Sequence, residues 1–242
     1  AIGHHAMLAT KEDMVGMCAT AGGMLVVPTF GAEGRLGTNP IAIAAPARKE
    51  PPLLFDAATC AIAGNKILLA ARVGATLEPG WISEVDGTPI MEESPTRERG
   101  HYLHLPLGGT REGGSHKGYG LALMPEILAT MLSGFLPTML SGLAPIPKSC
   151  HYFAAYNIAA FTDVEEFKDK MDLMLKMLRE TKPAPGHDRV LYPGLEEYEN
   201  ERDRRANGIP LHREVIQWFE NIATELSIPR LKTASDGQSV MI

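Results

Sequence analysis

Three short segments set a polar or charged side chain among glycines and small residues, a composition that lets a backbone approach a ligand closely. In Arg35 to Pro40 (RLGTNP), Thr38 and Asn39 stand between Gly37 and Pro40 at the entry to an apolar run. A hydroxyl and an amide there can point into a cavity, or they can close an Asx or Ser/Thr turn that starts a strand. In Phe55 to Cys60 (FDAATC), Asp56 interrupts an apolar stretch and is followed by Ala57, Ala58 and Thr59. A bare buried carboxylate is costly, so Asp56 needs a partner. A ribose hydroxyl is one; the other is a capping role for Asp56 or Thr59 on a helix starting near Ala61. In the third segment, Gly113, Gly114 and Ser115 precede His116 and Lys117 (HKGYGL) at an expected helix start. Free backbone N–H groups and the helix dipole favour an anion there, and Lys117 adds a full positive charge. These are the parts of a phosphate or carboxylate clamp, although a glycine-rich loop with one lysine is a weak motif by itself.

Other chemistries are excluded by missing patterns. No G-x-G-x-x-G follows an apolar run, and no P-loop, G-x-S-x-G or H-E-x-x-H occurs, which argues against a Rossmann dinucleotide site. His4 and His5 are adjacent, about 100° apart on a helix, and His101, His104 and His151 lack partners at ligand spacing, so no metal site is expected. Cys18, Cys60 and Cys150 are scattered, which points to neither a disulfide framework nor zinc and favours a reducing, cytoplasmic setting. With 23 Lys plus Arg against 29 Asp plus Glu, the net charge of -6 argues against nucleic acid as a partner. The first residue is Ala, and nothing in Ala1 to Met14 has the form of a signal peptide.

The elements that must hold these segments follow from apolar periodicity. The pattern predicts a helix over Ala6 to Asp13, a strand at Met14 to Thr20, paired strands at Ile41 to Pro46 and Leu53 to Thr59, and a helix from about Ala61 to Val73 closed by Gly74. Gly80 to Pro89 reads as a loop or small hairpin, and a long apolar helix starts near Ser115 and runs to about Ser133. Leu121 to Leu143 is interrupted by Pro125, Glu126 and Pro137 and has no basic flank, so no membrane span is expected. TMLSG occurs twice, at Thr130 to Gly134 and Thr138 to Gly142, and reads as a local duplication lengthening a loop. A strand at His151 to Phe161, a helix capped by Thr162 and Asp163 running to Arg179, a short strand at Arg189 to Tyr192, and helices at Leu195 to Ala206 and Leu211 to Leu226 complete the pattern. The irregular alternation indicates an α+β fold. Residues 1–150 are expected to form a mixed-sheet region, 151–232 a strand and helices completing the same fold, and 233–242 a disordered tail.

Five segments in order, RLGTNPIAIAAP, DAATC, GWISEVDGTP, LPLGGTREGGSHKGYGLAL and PAPGHDRVLYPGLE, resemble the type 2 malate/L-lactate dehydrogenase family over about residues 3–229. The resemblance implies a non-Rossmann α+β fold with a mixed, mostly antiparallel sheet. It implies hydride transfer between NAD or NADP and a small 2-oxo or 2-hydroxy acid, and a homodimer. By position, Thr38 is the expected substrate contact, while Asp56, Ala57, Ala58, His116, Lys117, Pro193 and Gly194 fall on cofactor-binding segments. Lys66 stands where malate and lactate types tend to carry lysine, which favours a simple hydroxy acid. Asp56 leans towards NAD by analogy with other nucleotide sites. The family's proton-donating histidine, its neighbouring serine and its carboxylate-binding arginine are expected upstream of Ala1, in a region on the order of 120 residues, of domain size. The chain then reads as an N-terminally truncated enzyme, or alternatively as an inactive nucleotide-binding or scaffold remnant of the same fold.

Overall fold

The computed structural model describes residues 2–143 and 148–231; the tail expected at 233–242 lies outside them. Strands β1 (Met14–Ala21), β2 (Ile41–Ala45), β3 (Leu53–Ala57) and β6 (Cys150–Asn157) form a four-stranded sheet in the order β3-β2-β1-β6, antiparallel throughout. β4 (Ile82–Ser83) and β5 (Leu103–His104) make a separate antiparallel ribbon. The predicted pairing of the second and third strands is present, with Ala42 opposite Asp56 and Ala44 opposite Leu54.

Helix α1 (Gly3–Thr10) starts three residues before the predicted helix and lies directly on the sheet. A side chain at Gly16 would put its Cβ 2.0 Å from the Ala6 carbonyl oxygen, so close approach requires glycine there. Ala6, Cys18, Ala42 and Ala44 form the small-residue core of this contact. Helix α2 (Gly64–Val73) ends as expected at Gly74, whose φ is +69°. It buries Ile67 and Ala70 against Leu77, Ile82, Ile90 and Tyr102 in a second core.

Helix α3 (Ser115–Pro125) is shorter than predicted, because the chain continues through a π-helical turn at Glu126–Thr130 and a 3-10 turn at Met131–Ser133. Pro125 has no N–H to donate, which breaks the regular ladder at the point where the geometry changes. Helix α4 (Val164–Arg179) is capped by Asp163, which accepts from the Glu166 N–H at 2.8 Å. Met171 and Leu175 are buried, whereas Met174 and Leu178 are exposed. Arg189 to Tyr192 forms no strand. Bonds to the neighbouring chain hold that segment instead, among them the Tyr192 hydroxyl donating to the Pro51 carbonyl at 3.1 Å and the Leu54 N–H donating to the Pro193 carbonyl at 3.0 Å. Pro193 cannot donate back, so no ladder propagates.

The chain divides into two compact units at Pro193 and Gly194. The second contains α5 (Leu195–Asn207) and α6 (Arg213–Glu225). α5 carries the Arg205–Glu201 pair at i,i+4 spacing, and α6 is capped by His212, whose Nδ1 accepts from the Glu214 N–H at 3.3 Å.

Candidate functional site

The RLGTNP segment turns into β2 with Asn39 at φ +32°, a left-handed conformation that asparagine tolerates. Its side chain points inward. Asn39 is almost completely buried; its Nδ2 donates to the Ala122 carbonyl at 2.8 Å and to Glu126 Oε1 at 3.1 Å, and its Oδ1 accepts from the Gly22 N–H at 3.3 Å. The amide that could face a cavity or close a turn is therefore part of the scaffold. Thr38 is half-buried beside it. Its carbonyl accepts from the Thr59 N–H at 2.9 Å and from Thr59 Oγ1 at 3.2 Å. Thr59 Oγ1 also lies 3.1 Å from the Asn39 carbonyl oxygen, so it spends its hydroxyl on RLGTNP and caps no helix.

Asp56 does not cap α2 either, where the N-cap residue is Ala63 and makes no side-chain bond. Its Oδ2 accepts from the Gly3 N–H at 2.8 Å, at the first turn of α1, which leaves the exposed carboxylate further acceptor capacity. Cys18 lies on the same face of the sheet, two strands away through Ala42. Burial, together with the charge of Asp56, raises its thiol pKa. Ala57 and Ala58 follow, both half-buried, and Ala58 packs with Tyr119 and Ala122 of α3.

The loop before α3 reaches the same place. The Leu107 N–H donates to the Thr59 carbonyl at 2.9 Å, and a Cβ on Gly118 would lie 2.2 Å from the Leu107 carbonyl oxygen, so the first turns of α3 press onto this strand-like segment. The structure thus brings Thr38, Ala57, Ala58, Thr59 and the start of α3 together. Pro193 is exposed beside the free edge of β3, and Gly194 opens the second unit ahead of α5.

At the start of α3, Gly114 occupies the N-cap position with φ +99° and no side-chain cap. Lys117 folds back over it: its Cδ is 3.6 Å from where a Gly114 Cβ would sit. His116 and Lys117 are exposed, and Arg111 Nη1 lies 2.7 Å from His116 Nδ1. The same Nη1 is 3.4 Å from His116 Nε2, so the guanidinium sits against both ring nitrogens. Arg111 is a second cation that sequence reasoning passed over; its spacing from His116 on an irregular loop carries no periodic signal. Beside it, a cleft of about 430 Å³ opens between Thr29, Phe30, Asp86, Pro106, Arg111 and Ser115. Ser115, buried at the helix start, has its Oγ 3.1 Å from Thr29 Oγ1.

The Ser115 and Lys117 N–H groups donate to the Thr110 and Gly114 carbonyls, each at 2.8 Å, so the helix dipole with Arg111 and Lys117 is what suits this place to phosphate oxygens. Asp56 supplies the opposite chemistry, an acceptor for hydroxyl groups. The residues present are therefore compatible with a dinucleotide. Among the described residues, no group of three or more His, Cys, Asp or Glu could hold a metal, and no helix is long and apolar enough to cross a membrane.

Residues 1–220 match the malate/L-lactate dehydrogenase family. The chain is 35% identical over 233 residues to a malate dehydrogenase of Pyrococcus abyssi, covering 95% of this chain and 64% of that protein. It is 34% identical over 229 residues to an L-sulfolactate dehydrogenase of Methanocaldococcus jannaschii, covering 93% and 63%. The crystal structure of malate dehydrogenase from Entamoeba histolytica superposes with a TM-score of 0.84 at 33% identity, covering 94% of this chain and 65% of that one. The chain thus spans slightly less than two thirds of the length of these relatives, with the α+β architecture they share. It belongs to the malate/L-lactate dehydrogenase family.

Proposed function

We propose that this chain carries the cofactor-binding and part of the substrate-binding machinery of an NAD- or NADP-dependent dehydrogenase for a small 2-hydroxy acid of the malate or lactate type. The observation that supports this most is the cationic start of α3, packed through Leu107 and Thr59 onto the carbonyl of Thr38. When bound, a nicotinamide supplies the hydride chemistry; this chain supplies binding and orientation. Lys117, Arg111 and the dipole of α3 hold phosphate, with the His116 ring beside them. Asp56 accepts from a ribose hydroxyl, and Ala57 and Ala58 leave room for the nucleotide between them. Pro193 and Gly194 belong to the same binding segment. The hydroxyl of Thr38 donates to an oxygen of the 2-oxo acid. We assign proton transfer to none of the histidines of this chain: His104 is buried with Nδ1 on the Ile62 carbonyl, and His151 Nδ1 is engaged by Thr20 Oγ1.

A second copy of the chain is the proposed protein partner. An outward apolar stripe, Leu121, Met124, Ile127 and Met131 along α3 and the π-helical and 3-10 turns that continue it, supports an interface there, each residue being more than 40% exposed. Free thiols at Cys18, Cys60 and Cys150 support a cytoplasmic location.

Titrating NADH and NADPH by fluorescence against the wild type and Lys117→Ala tests the reading. The variant is expected to bind roughly tenfold more weakly, the loss of one charge-assisted contact. Equal binding by both proteins removes Lys117 from the clamp.

A further inference from the structure

The buried carboxylate of Glu126 has no part in the reading above, and its surroundings are unusually complete. Glu126 is the first residue of the π-helical turn and is about 1% exposed. Its N–H bonds to the Leu123 carbonyl instead of the regular i−4 acceptor, Ala122, and the released Ala122 carbonyl is taken by Asn39 Nδ2. Its Oε1 accepts from the same Nδ2, and its Oε2 accepts from the Thr138 N–H at 2.8 Å, in the second TMLSG copy. Thr130 of the first copy donates its hydroxyl to the Glu126 carbonyl. One residue thus ties both copies of the pentapeptide to the left-handed residue that follows Thr38, the first through its backbone carbonyl and the second through its carboxylate. Single π-turns inside helices are rare and recur at functional sites.

We infer that Glu126 is a positioning residue for the substrate site: it locks Asn39 in its left-handed conformation and thereby fixes the backbone of Thr38 against Thr59. The inference rests on the reading of Thr38 as a substrate contact. It also gives the duplication a role, since the second copy supplies the N–H that clamps Oε2.

The test uses Glu126→Gln in the full chain. The two groups facing the carboxylate are both donors, so an amide there must turn its own NH2 towards one of them and lose that bond. Hydrogen exchange at the Thr59 N–H, which donates to the Thr38 carbonyl, is expected to accelerate roughly tenfold. Exchange at the Leu77 N–H, bonded to Ser94 in the separate core under α2, stays unchanged. Oxamate titrated into NADH-saturated protein is expected to bind roughly five- to tenfold more weakly in Glu126→Gln, and Glu126→Gln added to Thr38→Ala is expected to cost nothing further. Thr138→Pro, which deletes the clamping N–H at the first position of a 3-10 turn, reaches the same loosening more mildly if Glu126→Gln does not fold.

Unchanged exchange at Thr59, equal acceleration at Thr59 and Leu77, or independent multiplying losses from Glu126→Gln and Thr38→Ala would each overturn the inference. Wild-type oxamate affinity in Thr38→Ala refutes the underlying substrate reading instead. The Thr59 exchange rate, which needs no ligand, tells the two failures apart.

Discussion

The Asn39–Glu126 hub and the start of α3 are built from similar polar side chains and put them to opposite uses. In the hub, both oxygens of Glu126 and all the amide atoms of Asn39 have protein partners, in almost complete burial. At α3, the cations Arg111 and Lys117 are exposed over a helix start that has no side-chain cap. Satisfied, desolvated groups specify a conformation; groups held ready in water specify a ligand. The difference teaches where a substitution should be felt: in the hub through stability and geometry, at α3 through affinity alone.

The most disruptive way to sharpen that contrast acts where the two regions join. Gly118→Ala forces a Cβ against the Leu107 carbonyl and is expected to destabilise the fold by roughly 3 kcal/mol, read from urea unfolding. Gly120→Ala, two residues on with nothing within 4 Å of its added Cβ, should be neutral or stabilising by up to about 1 kcal/mol. Equal effects from the two would remove the close approach as the cause. Next in size, Asn39→Ala strands the Ala122 carbonyl and Glu126 Oε1 in the interior, at a cost of about 2 kcal/mol. By contrast, Lys117→Ala should leave the urea midpoint within about 0.5 kcal/mol of wild type while weakening NADH. A large stability loss in Lys117→Ala, or none in Asn39→Ala, would erase the distinction between the regions.

What could be read from the sequence follows the same division. Periodicity placed β1, β2, β3, α2 and α4 because local pattern and packing agree there, and Gly74 and Asp163 ended or began helices by their intrinsic geometry. Partners distant in sequence stayed hidden. Asp56 read as a ribose partner or a local cap for α2, and within the protein it bonds Gly3, 53 residues away, instead of capping. Asn39 looked like a turn residue or a ligand contact, and its partners are Ala122 and Glu126, more than 80 residues on. The π-turn was invisible because an apolar run such as EILAT fits any helical pitch; only Pro125 hinted that the ladder would break. Arg189 to Tyr192 carries the apolar content of a strand, but Pro193 stops a ladder from propagating. The five-segment resemblance nonetheless identified the family, since it draws on order along the whole chain rather than on any one contact.

The smallest effect expected is the dependence of stability on pH through His104, which lies beside Ile62 and Tyr102 of the core under α2. Burial lowers its pKa below the ordinary value of 6.5, and the charge of Arg99 adds to this; the bond to the Ile62 carbonyl opposes the shift without cancelling it. The folded protein therefore holds His104 neutral where the unfolded chain, with the ordinary value, begins to take up a proton. Below that value the unfolded state binds more protons, so stability falls as pH falls. Its contribution is fully present above about pH 6.5 and is lost as the pH drops through the lower, folded value. The carboxylates held below their usual range act only in more acidic solution. In Asp172, the N–H groups of Arg48, Lys49 and Glu50 outweigh the partial burial that would otherwise raise its pKa. Urea midpoints measured at pH 7.5 and 5.5 should fall towards the lower value in the wild type, and fall less in His104→Gln, which keeps a donor for Ile62 without a titrating ring. An identical slope in both proteins would place the proton uptake elsewhere.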